Sequence, residues 1–219
     1  MAWSYSALKD FETCRRKYYE VRVMKHYKRE DSEQSLYGDA LHDAAKVYVL
    51  QGTPLPEQFA FMKDLLDALL LKPGRKYPEH EMSLTAELEP CAWTDKKVWV
   101  RGIADLLILD EDDATAWVVD YKTGNNKYAD KDQLDLMSLL VFAHFPKVMQ
   151  VNSALIFVVK EAFVKHKRFI TEKDQLWWEY RNRVAKMDEA FSHNVWNPTQ
   201  SGLCKKHCQV LNCEFNGRN

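Results

Sequence analysis

Apolar residues recur along this 219-residue chain at two spacings, and the change from one to the other separates its parts. From residue 4 to about 30, Leu8, Phe11, Tyr18 and Tyr19 are set among basic residues. This is the pattern of an amphipathic helix, which Ser4 or Ser6 would cap. A second helix is predicted over 36–50. A third begins at Pro56, a residue suited to a first helical turn, and stops near residue 71 before Lys72-Pro73-Gly74. Alternation then takes over. Met82, Leu84, Ala86 and Leu88 alternate with polar residues across 81–89, predicting a half-buried strand. Strands are also expected at 97–101, 103–109 and 117–122, with an acidic turn at 110–113. Residues 132–145 read as a helix ended near Pro146, and 153–159 and 164–170 as a strand pair. A long helix is expected over 171–192, with Thr171 and Asp174 in capping-box-like positions. This order predicts an α/β fold with a mixed central sheet flanked by helices. One domain over 1–219 is expected, with a helical part at 1–75, a core at 78–192 and a tail at 197–219.

Composition narrows the function classes. About 46% of residues are apolar and 29% are charged, which suits a soluble globular chain. No apolar run approaches the length of a membrane span. The opening MAWSYSALKDFETCRRK lacks the apolar stretch of a signal peptide, so a cytoplasmic location is expected. The net charge of −1 excludes a polycation, so nucleic acid would have to meet a local patch. No G-x-x-x-x-G-K-[ST] is present, so ATP-driven unwinding would need a partner.

The stretch AWVVDYKTGNN begins as a strand and ends in turn residues. Period two puts Asp120 and Lys122 on one face of it. Alone, such a pair is an ordinary surface ion pair at a strand end. Asp105, in GIAD, changes that reading, because it lies in the preceding strand just before the apolar residues 106–109. Antiparallel strands joined by the acidic turn would bring Asp105 near Asp120. Two ionised carboxylates repel, and a divalent metal is one way to hold both, with Lys122 aimed at the same spot.

GIAD followed after a hairpin by DYKTG resembles the PD-(D/E)xK nuclease superfamily, RecB-like exonuclease branch. Gly38-Asp39-Ala40-Leu41-His42 resembles that branch's early G-x-x-x-H motif, Glu81 its upstream glutamate, and Gln133 the start of its Q-x-x-x-Y helix. The likeness spans about residues 4–213. It departs at Asp120, where Glu is commoner, and at Met137, where the helix motif has Tyr. The resemblance implies a restriction-endonuclease-like core. It implies His42, Asp105, Asp120 and the backbone carbonyl of Tyr121 as ligands of Mg²⁺ or Mn²⁺. Lys122 would position the attacking water. Glu81, with Glu87 and Glu89 as rivals, would serve a second ion or a water, and Gln133 would touch phosphate or fix Lys122.

Cys204, Cys208 and Cys213 cluster in LCKKHCQVLNC, while Cys14 is far upstream and Cys91 stands apart. Zinc would accept three cysteines with His207, or all four of Cys14, Cys204, Cys208 and Cys213. An iron–sulfur cluster would use the four cysteines. AddB-type nuclease domains and CRISPR-associated RecB-like exonucleases, which this pattern resembles, place one cysteine before the core and three after it. That implies a [4Fe–4S] cluster joining the termini, although the spacing C-x3-C-x4-C differs from theirs and keeps zinc open. Arg15, Arg16, Lys17, Arg22, Lys25, Lys28 and Arg29, with Tyr18, Tyr19 and Tyr27 and with Lys205 and Lys206, suggest a single-strand path, or else a solvated helix face.

The expected function is a metal-dependent DNA exonuclease of recombination, repair or phage DNA processing. It would act on single strands or duplex ends, with a helicase or recombination protein as partner. The alternatives are a structure-specific endonuclease on the same site and a non-catalytic nucleic-acid-binding or zinc-binding module. The last two leave the paired aspartates and Lys122 unexplained.

Overall fold

The computed structural model describes residues 2–28, 32–125, 127 and 129–218. Arg29 and Asn126, named above in the basic segment and the turn, lie outside them. In chain order the elements are α1 (Tyr5–Thr13), α2 (Arg15–Tyr18), a π-helical turn (Tyr19–Val23), α3 (Glu33–Gln51), a 3-10 segment (Glu57–Met62) and α4 (Lys63–Leu71). They continue as β1 (Arg75–Leu84), β2 (Val100–Leu109), β3 (Thr115–Lys122), α5 (Asp132–His144), β4 (Gln150–Phe157), β5 (Ala162–Phe169) and α6 (Lys173–His193). The chain forms two compact units, Met1–Ala2 with Asp31–Leu176, and Trp3–Glu30 with Trp177–Asn219. No helix among the described residues is long and apolar enough to cross a membrane.

The first unit carries a five-stranded mixed sheet in the order β1-β2-β3-β4-β5. Its neighbours are antiparallel except β3 and β4, which are parallel because α5 makes the crossover between them. On one face, Leu41 and Ala45 of α3 and Leu66 of α4 are buried with Leu106, Ile108, Val119, Tyr121 and Ile156. The helix α3 starts where the Ser32 hydroxyl accepts from Ser35 N, and it stops at Gly52, which takes φ +68°. On the other face lies α5, buried on every side from Leu134 to Phe142, with Asp135 and Ser138 its polar residues there. A β-carbon at Gly102 would lie 2.6 Å from Met137 Cε and 2.8 Å from Leu140 Cδ1, so the glycine of GIAD lets α5 close on β2.

The strand predicted over 81–89 is misframed. β1 starts six residues earlier, at Arg75, and ends at Leu84. The chain then turns, with Leu88 N donating to Thr85 O and Leu88 at φ +66°. The two strands predicted at 97–101 and 103–109 are one strand, β2.

In the second unit the helix predicted over residues 4–30 is interrupted. Cys14 is extended at φ −163°, ending α1 and capping α2 with its thiol. The aromatic pattern nonetheless packs: Trp3 stacks on Tyr180, and Tyr19 stacks on Trp196 with ring centroids 4.6 Å apart. Arg183 Nε donates to Glu12 Oε1 at 2.7 Å.

At the end of α5, His144 Nε2 lies 3.0 Å from Ser83 O and 3.2 Å from Ser83 N, tying the helix to β1. Burial holds this imidazole below its ordinary 6.5, against the smaller effect of the Ser83 bond. The folded protein therefore binds fewer protons here than the unfolded chain does in acid. The contribution to stability is present above pH 6.5 and is lost as the pH falls below it, through the depressed folded value. His144→Gln keeps a polar partner for Ser83 without a titrating ring. It is expected to lessen the loss of denaturant midpoint between about pH 7 and 5. An acid limb unchanged by the substitution would contradict this account.

Candidate metal centre

The site forms where the sheet's ladder opens. β1 and β2 are in register from Arg75 opposite Leu109 to Leu84 opposite Val100, but Glu79 and Asp105, which would face each other, do not pair. β2 and β3 pair up to Leu106 opposite Val119, and the next pair in that register, Asp105 with Asp120, is also missing. Glu79 takes φ +49°, uncommon for a residue bearing a β-carbon. The alternation shifts across this point. Tyr77 and His80, of opposite parity, both lie against Phe145. Likewise Gly102 faces α5, whereas Leu106 and Ile108 face α3 and α4. Like charges opposed across strands repel, and here the backbone has parted between them. The Tyr121 N–H that the ladder leaves over donates to Asp105 Oδ2 at 2.6 Å.

Three elements bring polar groups to this opening. α3 supplies His42, whose Nδ1 lies 3.3 Å from Asp105 Oδ1 and 3.7 Å from Glu79 Oε1. Ligand atoms of His42, Glu79 and Asp105 all fall within 4.8 Å of one another. β3 supplies Asp120, only 6% exposed, and Lys122, whose Nζ lies 2.6 Å from Asp120 Oδ2. α5 supplies Gln133, whose Nε2 donates to Asp120 Oδ1 at 2.6 Å.

The electrostatics are those of acids crowded together. Burial pushes the Asp120 carboxyl up to about 6, the charge of Asp105 adds to this, and Lys122 and His42 oppose it. Burial lowers His42, but the hydrogen bonds of Asp105 and Glu79 and the charges of Asp105 and Asp120 together outweigh it and raise the imidazole to about 10. One imidazole nitrogen and several carboxylate oxygens form a donor set that Mg²⁺ or Mn²⁺ accepts. The residues present thus fit a divalent ion.

The structure therefore draws together His42, Asp105, Asp120, Lys122 and Gln133, with the Tyr121 backbone between the two β3 residues. Glu81 is not among them. It is exposed on β1, and Glu79, two residues earlier, is the acid that reaches His42. Glu81 was named for its resemblance to the family's upstream glutamate, in a strand expected to begin at 81, and the kink at Glu79 lies just before it. The signal for Glu79 was the register: aligning β1 with GIAD places it opposite Asp105. Met137, where the helix motif would have Tyr, is 5% exposed and packs over Gly102 as a core residue.

The cysteines do not form the ligand set expected at the termini. Cys14, Cys204, Cys208 and Cys213 all belong to the second unit, and no disulfide forms. Cys14 Sγ accepts from Thr199 N at 3.4 Å and Cys204 Sγ donates to Thr199 O at 3.8 Å. Among the described residues, however, the group at His42 is the one place where three such ligand atoms converge. The tail is shaped instead by its amides, with Asn216 Nδ2 donating to Cys208 O and Val210 O. Cys91 lies in the first unit beside Ser83. In the basic segment near the N-terminus two arginines are engaged, Arg16 with Glu20 and Arg22 with Asp10, Tyr18 is buried, and Lys25 and Lys28 are exposed.

A family model described as the PD-(D/E)XK nuclease superfamily matches residues 2–213. Among solved structures, one titled "Crystal structure of SSO0001" is 14% identical with a TM-score of 0.46, over 98% of this chain and 87% of that one. No curated protein matches the chain.

The geometry separates the two glutamates of β1. In calorimetric titration with Mn²⁺, Glu79→Ala is expected to weaken binding about tenfold or more, and Glu81→Ala to leave it unchanged. Equal effects of the two, or a larger effect at Glu81, would contradict the placement.

Proposed function

Because the chain belongs to the PD-(D/E)XK nuclease superfamily, we propose that it is a divalent-metal-dependent DNA exonuclease that hydrolyses phosphodiester bonds from strand ends. The observation that carries the reading is the convergence of Asp105, midway along β2, with Asp120 and Lys122 at the end of β3, faced by His42 and Glu79. His42, Glu79, Asp105 and Asp120 would hold the ion. When bound, it would supply Lewis acidity toward the scissile phosphate.

The remaining chemistry falls to the chain. Lys122 keeps its ammonium against Asp120, where it can orient an attacking water and meet the charge that develops on a phosphate oxygen. Gln133 holds one oxygen of Asp120 and the Tyr121 N–H holds one oxygen of Asp105. Both carboxylates are thereby fixed before substrate arrives, which reduces reorganisation in the reaction. No covalent intermediate is required. Action from ends, rather than within strands, is supported by the RecB-like pattern of GIAD, DYKTG and the early G-x-x-x-H.

A cysteine-bound iron–sulfur or zinc site is a separate reading. It is supported by the gathering of four cysteines in one unit and by Cys14 and Cys204 both bonding to Thr199. Metal analysis of protein purified without oxygen reads it directly, and protein that carries no iron and no zinc would rule it out.

End-labelled linear and circular DNA, single- and double-stranded, tests the main reading. Cleavage is expected with Mg²⁺ or Mn²⁺, on linear but not circular substrate, and none with chelator. Asp105→Ala and Asp120→Ala should abolish it. Lys122→Met should lower it by about 10²-fold or more while Mn²⁺ binding persists. Activity in chelator or in either aspartate variant would refute the metal assignment, and cleavage of circles would replace exonuclease by endonuclease.

A further inference from the structure

The face of the sheet that packs α3 and α4 is not covered to its edge. Beyond α4 a groove of about 660 Å³ runs over β3, β4 and β5, lined by Lys72, Trp117, Asn152, Phe163, Lys165 and Lys167 among others. No aspartate or glutamate lines it among the described residues, on a chain whose net charge is −1. Side chains alternate along β5, so Phe163, Lys165, Lys167 and Phe169 share one face, and all four are exposed. Phe163 is 53% and Phe169 45% exposed. Across the groove, Lys72 Nζ lies 3.8 Å from the Trp117 ring centroid, and Lys167 Nζ lies 5.7 Å from that of Phe169.

Lysines on an edge strand are commonly a guard against pairing with other chains. That accounts for Lys165 and Lys167. It does not account for two phenylalanines left in water at either end of the lysine pair, nor for a third lysine reaching in from the end of α4. Cations flanked by open aromatic rings match a polyanion whose other component is a flat ring. Lysines take the phosphates and rings stack on the bases.

The direction of the stripe bears on the metal centre. Phe163 pairs with Ile156, and Ile156 with Tyr121, the residue between Asp120 and Lys122. The Phe163 end of the groove is therefore level with the catalytic end of β3, two strand spacings or about 10 Å across the sheet. Phe169 is six residues further along, about 20 Å away at the opposite end. We propose that this groove, with the exposed row of β5 that continues past it, is a binding path for single-stranded nucleic acid, its Phe163 end level with Tyr121, with Lys72, Lys165 and Lys167 on the phosphates and Phe163 and Phe169 stacking on bases. The inference rests on nucleic acid as the substrate and adds a binding surface apart from the reacting groups.

Fluorescence anisotropy of a labelled oligothymidylate of roughly 20 nucleotides, with the full chain in EDTA at several salt concentrations, tests it without cleavage. The double variant Lys165→Ala, Lys167→Ala is expected to bind about tenfold or more weakly, with a salt slope shallower by about 1.4. Phe163→Ala should weaken binding about tenfold with the slope unchanged. Wild-type affinity in both variants would overturn the proposal, whether the groove then serves a protein segment or nothing. Cleavage assays with the same proteins separate this from the nuclease reading. Unchanged binding beside active wild-type enzyme sinks the groove alone. Weakened binding beside a wild type inert with every divalent ion tried sinks the nuclease and leaves the groove.

Discussion

Carboxylates that would oppose one another across adjacent strands set the constraint on which the first unit depends. Ligand atoms of Glu79 and Asp105 lie within 4.8 Å of each other and of His42. At that separation, two unit negative charges at an effective permittivity near 20 repel by about 3 kcal/mol, a large share of an ordinary domain's stability. The structure meets the repulsion in three ways. The ladder opens at both missing pairs, Glu79 turns to a left-handed backbone, and cations are set beside the acids, His42 from α3 and Lys122 from β3 itself. Such a concentration of acid has no value for packing. It is a donor set that a divalent cation would accept, and α3, α5 and the close approach at Gly102 keep it in place.

Much of this was legible in the sequence, and the failures have physical causes. Helix ends were marked by Pro56, by Lys72-Pro73-Gly74 and by Pro146, and the later strands by their β-branched runs, so the mixed α/β sheet could be anticipated. Asp105, Asp120 and Lys122 were visible because an acid at the mouth of an apolar strand demands a partner. Glu79 was missed because the strand was expected to begin at 81, whereas β1 starts at Arg75, and the upstream acid was assigned to Glu81 by resemblance. The turn at Thr85–Leu88 mimicked alternation. Tertiary packing, not local pattern, decided that Met137 lies over Gly102 and that the helix predicted over residues 4–30 stops at Cys14.

Charge density along the chain proved a poor guide to surface. The richest basic run, near the N-terminus, pairs two of its arginines with Asp10 and Glu20 and buries Tyr18. The β5 sequence AFVKHKRF looked like an unremarked strand, yet alternation exposes one Phe-Lys-Lys-Phe row and turns Arg168 and His166 inward to Asp135. A cation matters for binding when its charge is still available, and that depends on what the fold has set beside it.

The central claim is that His42, Glu79 and Asp105, with Asp120 beside them, are a metal centre. Anomalous diffraction at the manganese edge, from crystals soaked in Mn²⁺, tests it most directly. The account predicts a peak within coordination distance of His42, Asp105 and Glu79. A peak confined to the cysteine-rich tail, or none at saturating Mn²⁺, would contradict it.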